Sequence, residues 1–327
     1  MSPRFLRAGA PQIAAFVALL LIDWQVSPQF FDLRMQDGRL FGSLVDVFNR
    51  GTPVALLSLG MVLVIATRGI DLSVGAVMAI AGAIAASLAD SHSLPIVLVA
   101  ALGAGLLCGA WNGMLVAVFG IQPIIATLIL MVAGRGVAQL ITQGRIVTFN
   151  SPDLAWFGNG AIAGVPVPVA LTIAVLLLTL AAVRGTALGL LIEATGANAK
   201  ASALAGVETR GTTFAVYVWS GFCAALAGIV AAADILGADA NNAGLWLELD
   251  AILAVVIAGS SLLGGRFSPS LAVLGAFIIQ AMNTGILLSG FRPEFNLIVK
   301  AGVVMAVLLL QSPKLTWMSG RLARGPA

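Results

Sequence analysis

The stretch Leu94–Phe119 reads LPIVLVAALGAGLLCGAWNGMLVAVF and contains no charged side chain. As an α-helix rising about 1.5 Å per residue it is about 39 Å long, more than the ~30 Å hydrocarbon core of a bilayer. It reads as a membrane span. Working outward, nine more apolar runs appear, at about 8–27, 52–68, 71–89, 122–143, 165–183, 214–236, 246–264, 268–289 and 295–312. The expected fold is all-α, a polytopic membrane helix bundle of about ten transmembrane helices. The expected organisation is one transmembrane domain over residues 1–327, with 184–213 as a loop within it.

Composition agrees with the lipid reading. Of 327 residues, 60% are hydrophobic and 9% charged, where soluble domains carry about 25% charged residues. So few charges cannot clothe a water-exposed surface, and a bilayer removes the need. The net charge of +3 comes from dispersed basic residues at loop ends, which fits membrane topology better than nucleic-acid binding. Two cysteines and a single His92 exclude a disulfide framework and a histidine metal cluster, and no cofactor is expected. Arg4 and Arg7 precede the first apolar run like the start of a signal peptide. No small-residue cleavage site follows, so the run is expected to stay as the first span.

Orientation follows from the cations. With the N-terminus inside, ten of the 17 basic residues fall in inside loops, five in outside loops, and Arg135 and Lys300 within spans. The inside set includes Lys314, Arg321 and Arg324, and the outside acids include Asp37. The positive-inside rule then predicts both termini in the cytoplasm, N-in and C-in.

Chemistry is scarce. A phosphate-binding loop needs Gly-Lys before Ser or Thr, and none of the three lysines follows a glycine. The chain is therefore not expected to hydrolyse ATP by that route, and no nucleophile–base pair suggests an enzyme. The inside loop is more informative. From Glu193 it runs through Gly196, Asn198, Lys200 and Ala203 to Gly206, rich in alanine, and should be helical with Gly196 and Gly206 as breakers on either side. A short smooth helix can sit in a groove of a cytosolic protein. It can equally be a plain linker between two halves.

Within the spans, Gly105, Gly109 and Gly113 recur every four residues and mark a close-packing groove. Asn112 beside them is either interhelical glue or part of a pathway. Arg135, with Gln139 and Gln143 one and two turns on, shares a helix face. That face either lines an outer vestibule or holds a structural hydrogen-bonding group. Gln280, Asn283 and Thr284 offer neutral donors and acceptors suited to a sugar, or to neighbouring helices. Asp23 and Lys300 are expected to reach the interface from span ends. Asp71 reads as a helix cap, with Arg68 as its candidate partner. The turns Arg68-Gly69 and Gly264-Gly265-Arg266 hint at a weak internal repeat.

These residues resemble the permease subunits of bacterial monosaccharide ABC importers, the ribose, xylose and galactofuranose group. The resemblance covers nearly the whole chain. It is most specific at Gly69-Ile70-Asp71-Leu72-Ser73-Val74-Gly75, at Ile121-Gln122-Pro123 to Thr127-Leu128, and in the inside loop at Gly196, Asn198, Ala203 and Gly206. The segments Ile146–Asn150, Asn241–Trp246 and Met282–Gly285 look closest to a galactofuranose importer permease. The resemblance implies an inner-membrane assembly with an ABC ATPase, a second permease, identical or homologous, and a periplasmic sugar-binding protein. It also implies that the inside loop is the ATPase coupling helix. One departure stands out. The familiar coupling motif begins Glu-Ala-Ala and ends Ile-x-Leu-Pro, whereas here Glu193-Ala194 is followed by Thr195 and no such ending occurs. The alternative, an ion-coupled sugar porter, would need a carboxylate in mid-bundle, and every acid here is expected near a span end.

Overall fold

The computed structural model describes residues 3–36, 38–292 and 294–311. Asp37, Lys314, Arg321 and Arg324, used above for orientation, lie outside the described residues, as does the last residue of the final expected span.

The chain runs α1 Pro3–Val26, a hairpin of Arg34–Gln36 with Arg39–Phe41, α2 Ser43–Ala66, α3 Val74–Leu88 and α4 Leu94–Gly113. A π-helical turn, Met114–Val118, prolongs α4. Then come α5 Pro123–Thr142, α6 Pro152–Asn159, α7 Val167–Gly185, α8 Leu188–Leu204, α9 Thr209–Asp234, α10 Leu247–Ile257, α11 Pro269–Leu288 and α12 Phe295–Gln311. Each expected span coincides with a helix. Two shorter helices, α6 and α8, occupy the loops at 144–164 and 184–213. Two-residue strands pair Val147–Thr148 with Gly237–Ala238 and Ala161–Ile162 with Val165–Pro166.

Among the described residues, seven helices are long and apolar enough to cross a bilayer, so the protein is a multi-pass membrane protein. Two expected spans are markedly shorter than predicted. α3 has 15 residues and α10 only 11. The apolar composition continues past the ends of α3 and α10, but the backbone does not. Residues 67–73 are turn and extended chain, with Arg68 at φ 64°. Beyond α10, Gly259, Gly264 and Gly265 take φ of 82°, 82° and 95°, in the left-handed region that ends a helix.

Two helices form the centre. In α2, 83% of the apolar window is buried and in α9 67%, against 22% for α4 and for α5. Leu56, Leu59, Met61, Val62 and Ile65 are wholly enclosed. The outer helices turn Val99, Leu107 and Leu140 outward instead, as lipid allows. α4 packs on α9 along the glycine series. A methyl on Gly109 would lie 2.4 Å from the Tyr217 carbonyl oxygen, and one on Gly105 2.4 Å from the Ala225 Cβ. Gly113 meets Phe214 at 3.0 Å. Without a hydrophobic force between helices in lipid, such close approach supplies dispersion contact instead.

Candidate functional site

α2 carries Asn49 and Arg50 in its second turn, near one end of the bundle, and finishes with Ala66 at the other. These residues name the two ends below.

At the Ala66 end, three backbone segments close on one another. The Gly265 N–H donates to the Ala66 carbonyl at 2.9 Å. Arg68 Nε donates to Leu263 O at 2.9 Å and its terminal nitrogen to Ala197 O at 2.6 Å. Arg68 therefore ties α8 to the turn between α10 and α11. It does not pair with Asp71 as expected, because its left-handed backbone aims the side chain along this end. The two turns of the suspected repeat thus meet in space.

α8 differs from expectation at Gly196. The helix passes straight through that residue, which is buried where a Cβ would lie 1.7 Å from the Ala66 carbonyl oxygen. Glycine here serves close approach, not breakage. The break falls at Asn198, at φ −160° and ψ 97°. Its side chain accepts from the Ala201 N–H at 3.1 Å, capping a second short helical segment. Ser202 Oγ donates back across the kink to Ala194 O at 2.8 Å. Gly206, at φ 88°, ends the element as expected, and the Val207 N–H reaches Ser202 O at 3.0 Å, the bond of a Schellman cap. Glu193 is half-buried, while Asn198, Lys200, Ala203 and Gly206 are exposed.

In mid-bundle, the segment 67–73 climbs beside α9. Asp71 accepts from the Ser73 N–H and Oγ at 3.0 and 2.6 Å, and from Ser220 Oγ at 2.8 Å. Asn112 Nδ2 donates to Ser73 Oγ at 2.8 Å, so Asn112 joins this network. Thr127 Oγ1 donates to Ile70 O at 3.1 Å and accepts from the Leu72 N–H at 3.2 Å. Ser220 is near the middle of the 26-residue α9. Asp71 is thus a carboxylate at depth, and the expectation that every acid lies near a span end fails there. Ser220, 149 positions away, carried no signal of this partnership in the sequence. Above it the starts of α3 and α10 converge, since a methyl on Gly75 would lie 2.3 Å from Gly244 O and 2.6 Å from the Glu248 carboxylate.

Lys300 and Asp23 also depart from expectation. Lys300 Nζ forms an ion pair with Asp250 at 2.7 Å, joining α12 to α10. Asp23 is 1% exposed and turns into the protein against Gly285.

At the Asn49 end the bundle is open. A cavity of about 520 Å³ lies between α2, α3, the end of α9, the segment 237–243 and α11. Asn49, Arg50, Asp234, Asp239, Asn242 and Gln280 give it polar walls. Asn49 Oδ1 is buried with no hydrogen-bond partner among the described residues. Asn242 Nδ2 and the Asn241 and Asn242 backbone hold Asp239 below the usual carboxylate range. Arg135 stays outside the cavity and donates to the Ala240 and Ala243 carbonyls. Gln139 Nε2 donates to Asn241 Oδ1 at 2.9 Å. Their shared face therefore braces the segment that forms one cavity wall. Gln280 lines the cavity and donates weakly to Thr284 at 3.5 Å, while Asn283 Oδ1 is buried without a partner among the described residues. The sequence singled out Gln280. It missed Asn49, Arg50 and Asp234, because polar groups in the terminal turns of spans look like ordinary interface residues.

Comparison with known proteins then bears on what this arrangement serves. The family model described as branched-chain amino acid transport system / permease component matches residues 43–308. The galactofuranose transporter permease protein of Escherichia coli is 63% identical over 94% of this chain and 90% of its own length. The fructose import permease protein of Bifidobacterium longum is 40% identical over 95% of this chain and 90% of its own. The ribose import permease protein of E. coli is 37% identical over 92% and 93%. No solved structure matches. The chain belongs to the family of branched-chain amino acid transport system permease components.

Proposed function

We infer that this chain is the permease subunit of an ABC sugar importer. The observation that carries this is the 63% identity to the galactofuranose transporter permease protein along nearly the whole of both chains. Relatives whose names specify fructose and ribose import point to the same substrate class. Among these, the level of identity favours galactofuranose. The cargo itself would be a neutral polyol, and the cavity at the Asn49 end offers what such a molecule needs. Its walls carry amides and one orphaned acceptor, Asn49 Oδ1, able to accept a hydrogen bond from a sugar hydroxyl.

The chain acts as one transmembrane domain of ten spans, non-catalytic and seated in the inner membrane. Its termini and the Ala66 end face the cytoplasm. Energy comes from a separate ATPase that docks on α8, chiefly at the exposed Asn198, Lys200, Ala203 and Gly206. The Arg68 clasp passes movement of α8 to the segment 67–73 and the start of α3, next to the pathway. A second permease completes the pore, and a binding protein delivers sugar to the Asn49 end. Asp71 accepts from Ser73 and Ser220 on both its oxygens, which favours a fixed structural carboxylate over the ion-coupled reading.

Uptake of labelled galactofuranose, ribose and fructose, in cells lacking other routes for them, tests the assignment. Transport of none of the three, with the ATPase present, sinks it. Orientation is tested at Leu204, 91% exposed on α8. Leu204→Cys should react with an impermeant thiol reagent only in inverted vesicles, and reaction in intact cells reverses the topology.

A further inference from the structure

A second cavity, of about 460 Å³, opens between α1, α11 and α12, beside the exposed apolar side chains of Ile22 and Phe295. Its walls are Leu19, Ile22 and Val26 of α1, Met282 and Ile286 of α11 and Phe295 of α12. At its base lies one carboxylate, Asp23. Asp23 Oδ2 is buried and has no hydrogen-bond partner among the described residues. The wall is cut to admit it: a methyl on Gly285 would lie 2.1 Å from Asp23 Oδ1. A lone carboxylate in an apolar groove is costly unless something meets its charge.

Depth identifies what could meet it. Asp23 lies one turn below the end of α1, beside Trp24, which is 48% exposed. Trp24 pairs with Phe31 at 6.4 Å between centroids, and Phe291 with Phe295 at 5.6 Å. Exposed aromatic residues gather where headgroups meet hydrocarbon, so this belt sets Asp23 at headgroup depth with the apolar walls beside it. A fitting ligand carries a cationic hydrogen-bond donor at one end and hydrocarbon at the other. A sugar leaves the walls unmatched, and an inorganic cation leaves the cavity empty.

We propose that this groove holds one phospholipid with a primary-amine headgroup, its ammonium on Asp23 and an acyl chain along α1 and α11. A choline headgroup has the charge but no N–H to donate, so it fits less well. The site is separate from the transport pathway and independent of the sugar assignment.

The test uses the full-length chain in vesicles of phosphatidylglycerol with added phosphatidylethanolamine or phosphatidylcholine, followed by native mass spectrometry of the retained lipid. Wild type should keep one phosphatidylethanolamine in preference to phosphatidylcholine. Asp23→Asn should lower that retention about tenfold. Ile22→Trp fills the groove from an exposed position without touching the carboxylate, and should lower it as well even if Asp23→Asn fails to insert. Equal retention of the two lipids by wild type overturns the proposal, as does undiminished retention in Ile22→Trp. So does efficient disulfide formation between two copies carrying Ile22→Cys, which would make the groove a protomer interface.

Discussion

The two ends of this bundle are built from different material. At the Ala66 end, main chain meets main chain: Gly196 on Ala66, Gly265 on Ala66, and Arg68 reaching two carbonyls. At the Asn49 end, polar side chains surround open space, although one wall still includes the close main-chain approach of Gly228 to Met78. The first arrangement tolerates no added atom but is indifferent to much side-chain chemistry. The second tolerates volume but depends on which polar groups are present. A part that must transmit force is expected to be stiff, and a part that must admit cargo is expected to be roomy. The contrast therefore follows the division of labour inferred for a permease.

The sharpest way to break it is Gly196→Val. Its Cβ would fall 1.7 Å from the Ala66 carbonyl oxygen, so α8 must leave its seat. Overpacking of this kind costs about 3 kcal/mol or more, and sugar uptake should fall by at least about 100-fold. Uptake within a few-fold of wild type shows that α8 is not seated there. Next comes Ala203→Trp. Ala203 is exposed, so insertion should be unaffected, while a fitted contact with the ATPase should weaken roughly 5- to 150-fold. Co-purification of the two subunits reads this directly, and normal association would make α8 a linker.

At the other end, effects should be chemical and smaller. Arg135→Leu strands two carbonyls and frees the segment carrying Asp239 and Asn242. About a tenfold loss of uptake is expected, with normal ATPase association. Arg135→Lys should not restore it, because both bonds leave the one guanidinium nitrogen Nη1, and a lysine ammonium ends one bond short of that position. Full rescue by lysine would mean that charge alone matters there. Gln280→Ala removes one polar wall group and should cost about two- to fivefold in uptake. A loss as large as that of Gly196→Val would erase the distinction between the ends.

The spans were legible because lipid leaves an unmistakable mark: each helix of the bundle is an apolar run. Where the helices of α3 and α10 stop was not legible. Residues 67–73 and 258–268 mix apolar side chains (Ile70, Leu72, Leu262, Leu263) with glycines and polar groups, so the apolar runs read on into them although the helical backbone does not. Gly196 shows the same limit from another side. In a sequence, a glycine that ends a helix and a glycine that admits a neighbour are the same letter. Gly206 was read correctly because it stands where the alanine-rich run gives out. Arg135 drew notice as a charge within a span, but its role depends on the carbonyls of Ala240 and Ala243, 105 and 108 positions away. Charge within a span says that a partner exists, not where it is.

The seam between α4 and α9 limits how the machine can move. Gly60 of α2 meets Ser220 with 2.7 Å to its Cα, and Gly82 of α3 meets Gly228 O at 3.1 Å, measured from where a Cβ would stand. With Gly105 and Gly109 on the same partner, α9 is keyed to three helices at once. Sliding any of them by a turn, about 5.4 Å, would bring a side chain against backbone where each key now fits. These four helices therefore share one set of rigid-body coordinates. The degrees of freedom left for a transport cycle belong to the remainder, so distances within the α2–α3–α4–α9 block, and from it to the seated α8, should stay constant through the cycle while distances from that block to α5 and α12 change.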